Sequence, residues 1–419
     1  MTRVLFIGGF VPREMMRTVV EDTYGKVQFS NHNFEMSLIR GLAAGEDVEL
    51  RAISAPKVYS YPHNNRNRVI RAESYEDNGV SFSSIGYNNR TGINLITRTW
   101  QLMRGILREL SAFGPGSEEV KVVINTPALE YTVAARMARM FTSRPLKMAL
   151  VVPDVPECLA EMNGGKSLKM RIVGLLNRLN RFFARRIGRM VYLTEAMNDY
   201  YNLPADRWIV MEGLIDEERV KRVTEAAAPT AGEAEKEAGG EVILYTGTLR
   251  RIFGVMDLVD MFERGGFDNC ELRICGSGEA EEELRERAAR NPAIKFLGSL
   301  SPEEALKEQS RATILVNPRN SAGNYTRYSF PSKTIEYLLT GRTVVANRLP
   351  GIPREYDAFI HYPASESADS WIECLREVMA MDPEARKRHD DEGRAFILAR
   401  KTARAQASRI LDLLKDKKT

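Results

Sequence analysis

The chain is poor in cysteine and histidine, with four of each among 419 residues. Cys158, Cys270, Cys275 and Cys374 form no CxxC pair, and no histidine stands near them at the spacing of metal ligands. This pattern indicates neither a disulfide framework nor a zinc site. We therefore expect reduced thiols in a cytoplasmic protein that uses no metal and no cofactor.

Long apolar runs are also missing. The opening run, Val4 to Phe10, is too short to span a bilayer and is followed by Pro12, Arg13 and Glu14, not by a small-residue cleavage site. No other window reaches about 18 uninterrupted apolar residues. We expect neither a signal peptide nor a membrane span.

Net charge of one sign is nearly absent, since 60 Lys and Arg oppose 56 Asp and Glu for a formal net charge of +4. That excess is too small to indicate nucleic acid. With 43% hydrophobic and 28% charged residues, the composition is that of a soluble globular protein. A length of 419 residues exceeds what one core usually spans, which predicts two domains.

Short apolar runs alternate with helical patterns in both halves of the chain, which indicates parallel sheets wound by helices. Predicted strands are Arg3–Phe10, Asp47–Ser54, Lys121–Asn125, Lys147–Pro153, Met190–Thr194 and Trp208–Glu212, then Glu241–Gly247, Cys270–Gly276, Ile294–Gly298, Ala312–Pro318, Thr343–Asn347 and Phe359–Tyr362. Predicted helices of the first half lie near 33–44, 93–112, 128–142 and 166–189.

These patterns predict an α/β chain of two doubly wound, Rossmann-like domains. We place the first over 1–205, the second over 206–383 and a last helical stretch over 384–419. The small and acidic residues 225–240 predict a flexible linker or insertion. The polar stretch between about 55 and 92 is too long for a plain connection and predicts a substrate-facing or mobile loop.

The segment Tyr328 to Val345, YSFPSKTIEYLLTGRTVV, predicts a tight turn that leads into a helix. Pro331 fixes φ, Ser332 can cap the helix, and Lys333 adds a positive charge to the helix N-terminus, which suits a phosphate. Glu336 lies about one turn further on and can accept hydrogen bonds from sugar hydroxyls. Together these groups indicate a nucleotide-sugar site, although a capped helix with both charges in solvent would leave the same pattern.

This segment resembles the carboxyl-terminal signature of retaining GT-B glycosyltransferases of family 4, in the branch that reads F-P-S-K-x-x-E-Y. The resemblance implies two Rossmann-like domains facing across a cleft, the first on the acceptor side and the second for the nucleotide sugar, with the terminal helix crossing back to the first. It also implies that Glu336 holds the nucleotide ribose. Tyr328 stands at the position of the family's first glutamate, the residue that usually contacts the donor sugar.

Glycines and arginines mark further strand ends of the second half. Gly247 ends a predicted strand and precedes Arg250 and Arg251, one of which we expect to neutralise the donor diphosphate together with Lys333. The family usually has Arg and Lys where this chain has Thr248 and Phe253. Gly276, in Gly276-Ser277-Gly278, and Arg319, in VNPR, follow the next strands and match the family's order toward the nucleotide. Alternatively, Gly276 belongs to an ordinary turn and Arg319 is a surface cation.

In the first half, Gly8 and Gly9 end the first strand, where close approach to the donor or a tight turn would each need glycine. Asp154 follows another strand between two prolines and could orient an acceptor hydroxyl or take its proton. Its alternative role is a helix N-cap.

Residues 166–189 carry eight cations without an acidic residue, interleaved with apolar residues. This pattern predicts a basic amphipathic helix on an anionic membrane surface, or else an ordinary helix with a solvated charged face. Nucleic acid is a weaker alternative because no recognition motif accompanies it.

The function that these features and the resemblance together imply is retaining transfer of a hexosyl or N-acetylhexosaminyl group. The donor would be a nucleoside diphosphate sugar, UDP-linked by expectation, and the acceptor a glycan or lipid-linked sugar in cell-surface polysaccharide synthesis. The enzyme would lie in the cytoplasm, peripherally on the inner face of the cell membrane. The alternatives are a nucleotide-sugar epimerase of the same fold and an inactive membrane-surface scaffold.

Overall fold

The computed structural model describes residues 1–12, 15–24, 30–63, 65–116, 118–155, 168–226 and 240–416. The chain forms two compact units, one of residues 1–216 with 403–419 and the other of residues 217–402. Most of the predicted linker at 225–240 lies outside the described residues. None of the helices described has an apolar stretch long enough to cross a membrane.

The first unit is built on a largely parallel sheet. Its strands, with a separate two-stranded ribbon, are β1 (Thr2–Gly8), β2 (Val48–Ser54), β3 (Val69–Ile70), β4 (Ser74–Asp77), β5 (Val80–Ser84), β6 (Tyr87–Asn88), β7 (Val120–Asn125), β8 (Leu146–Val152), β9 (Met190–Tyr192) and β10 (Trp208–Val210). The sheet order is β10-β9-β8-β7-β1-β2-β5-β4, with β4 alone antiparallel to its neighbour. The ribbon pairs β3 with β6.

Helices cover the sheet of the first unit. They are α1 (Met15–Asp22), α2 (Ser30–Ala43), α3 (Asn94–Ala112), α4 (Leu129–Phe141), α5 (Leu168–Arg185) and α6 (Met197–Tyr201). Every residue of β7 is buried, as expected of a central parallel strand with both faces covered. Because β1, β7 and β8 are parallel neighbours, their carboxyl ends share one edge, which we call the first carboxyl edge.

The second unit is a five-stranded parallel sheet in the order β13-β12-β11-β14-β15. Its strands are β11 (Glu241–Thr246), β12 (Cys270–Cys275), β13 (Ile294–Gly298), β14 (Ile314–Asn317) and β15 (Thr343–Ala346). Its helices are α7 (Glu217–Ala226), α8 (Val255–Gly265), α9 (Glu281–Arg290), α10 (Pro302–Arg311), α11 (Lys333–Leu339), α12 (Ala368–Met379) and α13 (Pro383–Arg400). A last helix, α14 (Ala403–Leu413), packs on α2 of the first unit.

The predicted domain limits differ from the observed units at two places. Residues 206–216 belong to the first unit because β10 pairs with β9 in its sheet. The terminal stretch is two helices, of which only α14 belongs to the first unit. The chain turns after α13 at Lys401, whose 1%-exposed side chain contacts the Glu355 carboxylate at 2.6 Å.

Two predictions of local structure are wrong. The stretch 55–92, predicted as one long loop, contains strands of the sheet, because β5 extends the sheet from β2 and β4 turns back along β5. These strands are short and rich in serine, so their sequence carries little apolar alternation. The stretch Phe359–Tyr362 is not a strand, since only a single bridge joins His361 to Val345.

Candidate functional site

The second unit has a cavity of about 410 Å³ at the carboxyl ends of β11 and β12. Its lining residues are Arg219, Thr246, Gly247, Thr248, Cys275, Gly276, Ser277, Ser299, Leu300, Pro302, Ala305, Gln309, Lys333 and Glu336. Ligands of open parallel sheets bind outside the carboxyl ends of the strands. The structure thus brings four of the predicted site residues together here, namely Gly247, Gly276, Lys333 and Glu336.

Glycine is required where the two strand ends meet. Gly276 has φ +144°, and a Cβ built on it would overlap the carbonyl oxygen of Gly247. A Cβ on Gly247 would lie 2.9 Å from the Tyr245 hydroxyl and 3.2 Å from Lys333 Cε. The cavity floor is therefore bare backbone, which allows a phosphate to approach closely.

Helix α11 carries the charged residues of the cavity. The Lys333 ammonium lies 3.4 Å from Thr246 Oγ1 and 3.9 Å from the Glu336 carboxylate, which also lies 3.5 Å from the Arg219 guanidinium. About a third of each side chain, Lys333 and Glu336, is exposed. Both can therefore reach a ligand. The predicted cap is wrong, because Ser332 has helical backbone angles and its side chain makes no cap hydrogen bond.

The Lys333 ammonium contacts a buried hydroxyl network at Thr246 Oγ1. Gln309 Nε2 donates to Thr246 Oγ1 at 2.9 Å, and the Tyr337 hydroxyl lies 3.1 Å from the same oxygen. The backbone N–H of Thr246 donates to the Tyr337 hydroxyl at 3.0 Å. Burial holds the pKa of Tyr337 above its usual value, so the phenol stays protonated. Sequence reasoning missed these partners, although Tyr337 is the last residue of the F-P-S-K-x-x-E-Y match.

Arg250 and Arg319 share one aromatic residue. The Phe253 ring lies 5.7 Å from the Arg250 guanidinium and 5.4 Å from that of Arg319. Arg319 also lies 4.9 Å from the Tyr325 ring and contacts Ser329 Oγ at 3.5 Å. Two guanidinium groups are therefore gathered by cation–π contacts, with Phe253 at the place where the family usually has lysine.

Two other predicted residues of this unit lie apart from the cavity lining. Arg251 forms an ion pair with Glu283, and its backbone N–H donates to Glu279 at 2.9 Å. Tyr328 lies outside the cavity lining, with its ring 5.9 Å from the Arg327 guanidinium. Their donor contacts stay predictions.

In the first unit, Gly8 and Gly9 are close-packed. A Cβ on Gly8 would lie 2.7 Å from the Phe6 ring, and a Cβ on Gly9 would lie 2.7 Å from the Tyr131 hydroxyl. The Gly9 N–H donates to both oxygens of the buried Glu35 carboxylate, at 3.0 and 3.1 Å. Packing alone thus demands both glycines, and their contact with a donor stays a prediction.

Asp154 lies at the same edge of the first unit. It follows β8, and its side chain is exposed. The residues after it, 156–167, are outside the described part of the chain, so its predicted role stays open. Among the described residues, no three His, Cys, Asp or Glu side chains cluster as metal ligands would.

Most of the second unit is similar to a known protein family. Residues 240–381 match the protein family described as Glycosyl transferases group 1. No curated protein matches the sequence. The match covers the cavity residues on β11, β12, α10 and α11.

Solved structures match over the whole chain. Sucrose-phosphate synthase from Thermosynechococcus elongatus is 13% identical with a TM-score of 0.60, covering 99% of this chain and 98% of its own. HepE from Anabaena, in complex with UDP, is 14% identical with a TM-score of 0.59, covering 99% of both chains. The lipopolysaccharide outer core galactosyltransferase WaaB is 12% identical with a TM-score of 0.58, covering 99% of both chains.

At such low sequence identities, the structural similarity establishes the fold alone. The family match supports sugar transfer as the reaction. The narrower assignment to family 4 stays a prediction. The predicted resemblance is confirmed in its main terms, because the chain has the GT-B fold and residues 240–381 match the Glycosyl transferases group 1 family.

Proposed function

We propose that this protein is a retaining glycosyltransferase that moves a hexosyl or N-acetylhexosaminyl group from a UDP-sugar to a glycan or lipid-linked acceptor in cell-surface polysaccharide synthesis. The observation that carries the proposal is the cavity of the second unit, where bare backbone, an ammonium and a carboxylate meet within the matched family segment. The structurally similar HepE is in complex with UDP, and WaaB is a galactosyltransferase of lipopolysaccharide, which supports the donor base and the kind of product.

Different cavity residues bind different parts of the nucleotide sugar. The backbone at Gly247 and Gly276 admits the diphosphate, and the Lys333 ammonium neutralises it. The Glu336 carboxylate accepts hydrogen bonds from ribose hydroxyls. As the bond between sugar and diphosphate breaks, negative charge grows on the leaving group, and the fixed ammonium stabilises that charge.

Arg250 and Arg319 lie in the second unit outside the cavity lining, and we give both a role in donor binding. Arg250 adds a second cation for the departing diphosphate, and Arg319, held between two rings, contacts the donor. In the first unit, the proposed role of Asp154 is to orient the acceptor hydroxyl or take its proton, as a carboxylate at a strand end can.

A donor screen tests the proposed function directly. A ligand that binds only the native state raises apparent stability, so we expect UDP and its matching sugar conjugate to raise Tm more than GDP or ADP conjugates. Release of UDP only when an acceptor glycan is present identifies a transferase. Donor conversion without acceptor would instead indicate an epimerase. UDP binding without any turnover would indicate an inactive scaffold, an alternative suggested by Tyr328 in place of the family's first glutamate.

The proposed chemistry needs no resident metal, because amino and guanidinium groups supply the positive charge. We therefore expect turnover to persist in excess EDTA. The measurement is UDP release with and without chelator, followed by addition of Mg²⁺ or Mn²⁺. Loss of turnover with EDTA and its recovery with metal would overturn the metal-free mechanism.

Helix α5 supports contact with an anionic membrane surface. Its arginines Arg178, Arg181, Arg185 and Arg186 are exposed. Four of its apolar side chains are exposed too, namely Leu175 at 59%, Leu176 at 40%, Leu179 at 41% and Phe182 at 47%. An ordinary core-facing helix would bury these leucines, so the alternative of a merely solvated charged face explains less.

The neighbouring helices carry similar exposed apolar residues. Helix α4 packs between α3 and α5, with Met140 80% and Phe141 68% exposed on α4 and Ile96 70% and Trp100 52% exposed on α3. Apolar side chains flanked by arginines are typical of a surface that inserts shallowly among anionic lipids.

Changing Arg178, Arg181, Arg185 and Arg186 to Gln should abolish sedimentation with anionic liposomes while UDP binding survives. Each cation contributes about 1 kcal/mol near such a surface, and the interaction weakens with salt. The matched control changes four exposed arginines elsewhere, Arg354, Arg388, Arg404 and Arg409, for the same loss of charge. Equal sedimentation of both variants would remove the membrane from the proposed function.

A further inference from the structure

The first carboxyl edge contains a buried carboxyl group that the proposed chemistry leaves unexplained. Glu35 of α2 is fully buried. Its Oε1 accepts hydrogen bonds from Gly9 N at 3.0 Å, Asn125 Nδ2 at 2.7 Å and Asn31 Nδ2 at 3.2 Å, and its Oε2 accepts from Gly9 N at 3.1 Å. These hydrogen-bond donors are all uncharged, and the cation whose charge acts on Glu35 is Lys57.

A carboxylate in such a position is costly. Burial penalises the charge, and neutral donors compensate for the lost water only in part. Burial therefore raises the pKa of Glu35 to about 7, against the hydrogen bonds from Gly9, Asn125 and Asn31 and the charge of Lys57. Glutamine would fill the same space without the charge and would keep one acceptor oxygen for Gly9, Asn125 and Asn31, so the carboxyl group is better explained by function than by stability.

Glu35 is one of three side chains that hold the segment after β1. Its carboxylate binds the Gly9 N–H, His32 Nδ1 accepts from the Val11 N–H at 3.2 Å, and the Ser54 hydroxyl donates to the Phe10 carbonyl. The segment Gly9–Val11 is therefore fixed by side chains and not by strand pairing.

The same carboxylate holds the end of β7. Asn125 is fully buried, and its amide nitrogen makes the 2.7 Å contact with Glu35. The next residue, Thr126, has φ +75°, a conformation that a β-branched residue adopts only under strain. Strained backbone held by a buried group concentrates at functional sites.

Few titratable groups face Glu35. Lys57, from the segment after β2, places its ammonium 5.3 Å from the centre of the Tyr131 ring, and Tyr131 lies on α4. Burial raises the pKa of Tyr131 far above the neutral range, so this phenol stays uncharged. His32 lies one turn earlier on α2, and burial lowers its pKa. Glu130 is paired with Arg98 at 3.2 Å.

We propose that Glu35 is a positioning residue for the transfer reaction, whose ionised carboxylate holds Gly9–Val11 and Asn125 in the arrangement that receives the acceptor sugar. The acceptor in this statement rests on the proposed function. Protonation turns one acceptor oxygen into a donor, which weakens the hydrogen bonds that Glu35 accepts from Gly9 and Asn125. The working form is therefore the ionised one.

The first test reads the contact itself and needs no substrate. In the wild type, the Gly9 amide signal should titrate together with the Glu35 side-chain carbon, with a midpoint near pH 7, in NMR spectra of labelled protein. Glu35→Gln should abolish the Gly9 titration. The control, Glu109→Gln, removes another buried carboxyl, one paired with Arg51, and should leave the Gly9 titration intact. A Gly9 titration that persists in Glu35→Gln would overturn the assignment.

The second test separates a positioning residue from a structural one. A raised pKa means that the folded state holds the proton more tightly, so ionisation costs the wild type stability as pH rises from about 4.5 through about 7. Glu35→Gln should match wild-type Tm near pH 4.5 and exceed it at pH 8, whereas Glu109→Gln should melt lower than wild type at both. A Glu35→Gln variant that melts lower at pH 8 would overturn the proposal.

The third test measures turnover. With the donor found by the screen, kcat of Glu35→Gln at pH 8 should fall about tenfold, with donor KM nearly unchanged, and should lose the wild-type decline below pH 7. Wild-type kcat and an unchanged pH profile in Glu35→Gln would overturn the positioning role. If the wild type turns over no nucleotide sugar, the proposed function fails, and the Gly9 titration still decides what Glu35 holds.

Discussion

Replacing Lys333 by alanine should lower turnover about 10²–10³-fold, the usual loss when one fixed donor to a developing negative charge is removed. The ammonium lies at the cavity, 3.4 Å from Thr246 Oγ1, so it is positioned before a ligand arrives. Charge on the leaving diphosphate grows only in the transition state, and donor affinity should change much less than kcat. The measurement is steady-state UDP release with the matched donor.

Lys295→Ala is the control for Lys333→Ala, because Lys295 is an exposed lysine of the same unit on the edge strand β13. It should keep wild-type kcat. A Lys333→Ala variant with wild-type turnover and weaker donor binding would contradict the assignment, since the ammonium would then act on the ground state.

Replacing Glu336 by alanine should weaken UDP binding by about 1.5–3 kcal/mol, which is about 10- to 150-fold in Kd. The carboxylate is one-third exposed in the cavity, between the Arg219 and Lys333 cations. Ribose hydroxyls would donate to it, and alanine offers no acceptor. Calorimetry with UDP measures the change.

The fold should survive the Glu336→Ala change, because the apolar residues of α11 are buried on its other side. Glu373→Ala on α12 is the control, since Glu373 is exposed outside the cavity, and it should bind UDP as the wild type does. Unchanged UDP affinity in a folded Glu336→Ala variant would remove this carboxylate from the site.

Much of the second unit is predictable from sequence because its signals are local. Four apolar runs, Glu241–Gly247, Cys270–Gly276, Ile294–Gly298 and Thr343–Asn347, form β11, β12, β13 and β15 within one residue. Parallel strands then bring Gly247, Gly276 and the start of α11 to one edge. Residue spacing along one strand or one helical turn suffices for such a prediction.

Other parts of the site come from partners far apart in sequence. Thr246 meets Gln309 and Tyr337 across 63 and 91 residues, and Arg251 turns to Glu283 and away from the cavity. Ser332 is a typical N-cap residue by its position in the sequence, but its backbone angles are helical and its hydroxyl makes no cap hydrogen bond. No local sequence pattern predicts these partners or this backbone conformation.

The sequence by itself determined the two-sheet α/β architecture, the glycosyltransferase-like segment that contains Lys333 and Glu336, and the amphipathic basic character of the helix near 166–189. Only the tertiary structure decided that leucines and a phenylalanine of that helix stay exposed, and that Glu35 is buried against Gly9 and Asn125. The physical reason is that the periodicity of a strand or helix is visible within a few neighbouring residues. The burial of a carboxyl group, and with it its pKa, depends instead on which distant segments pack around that group.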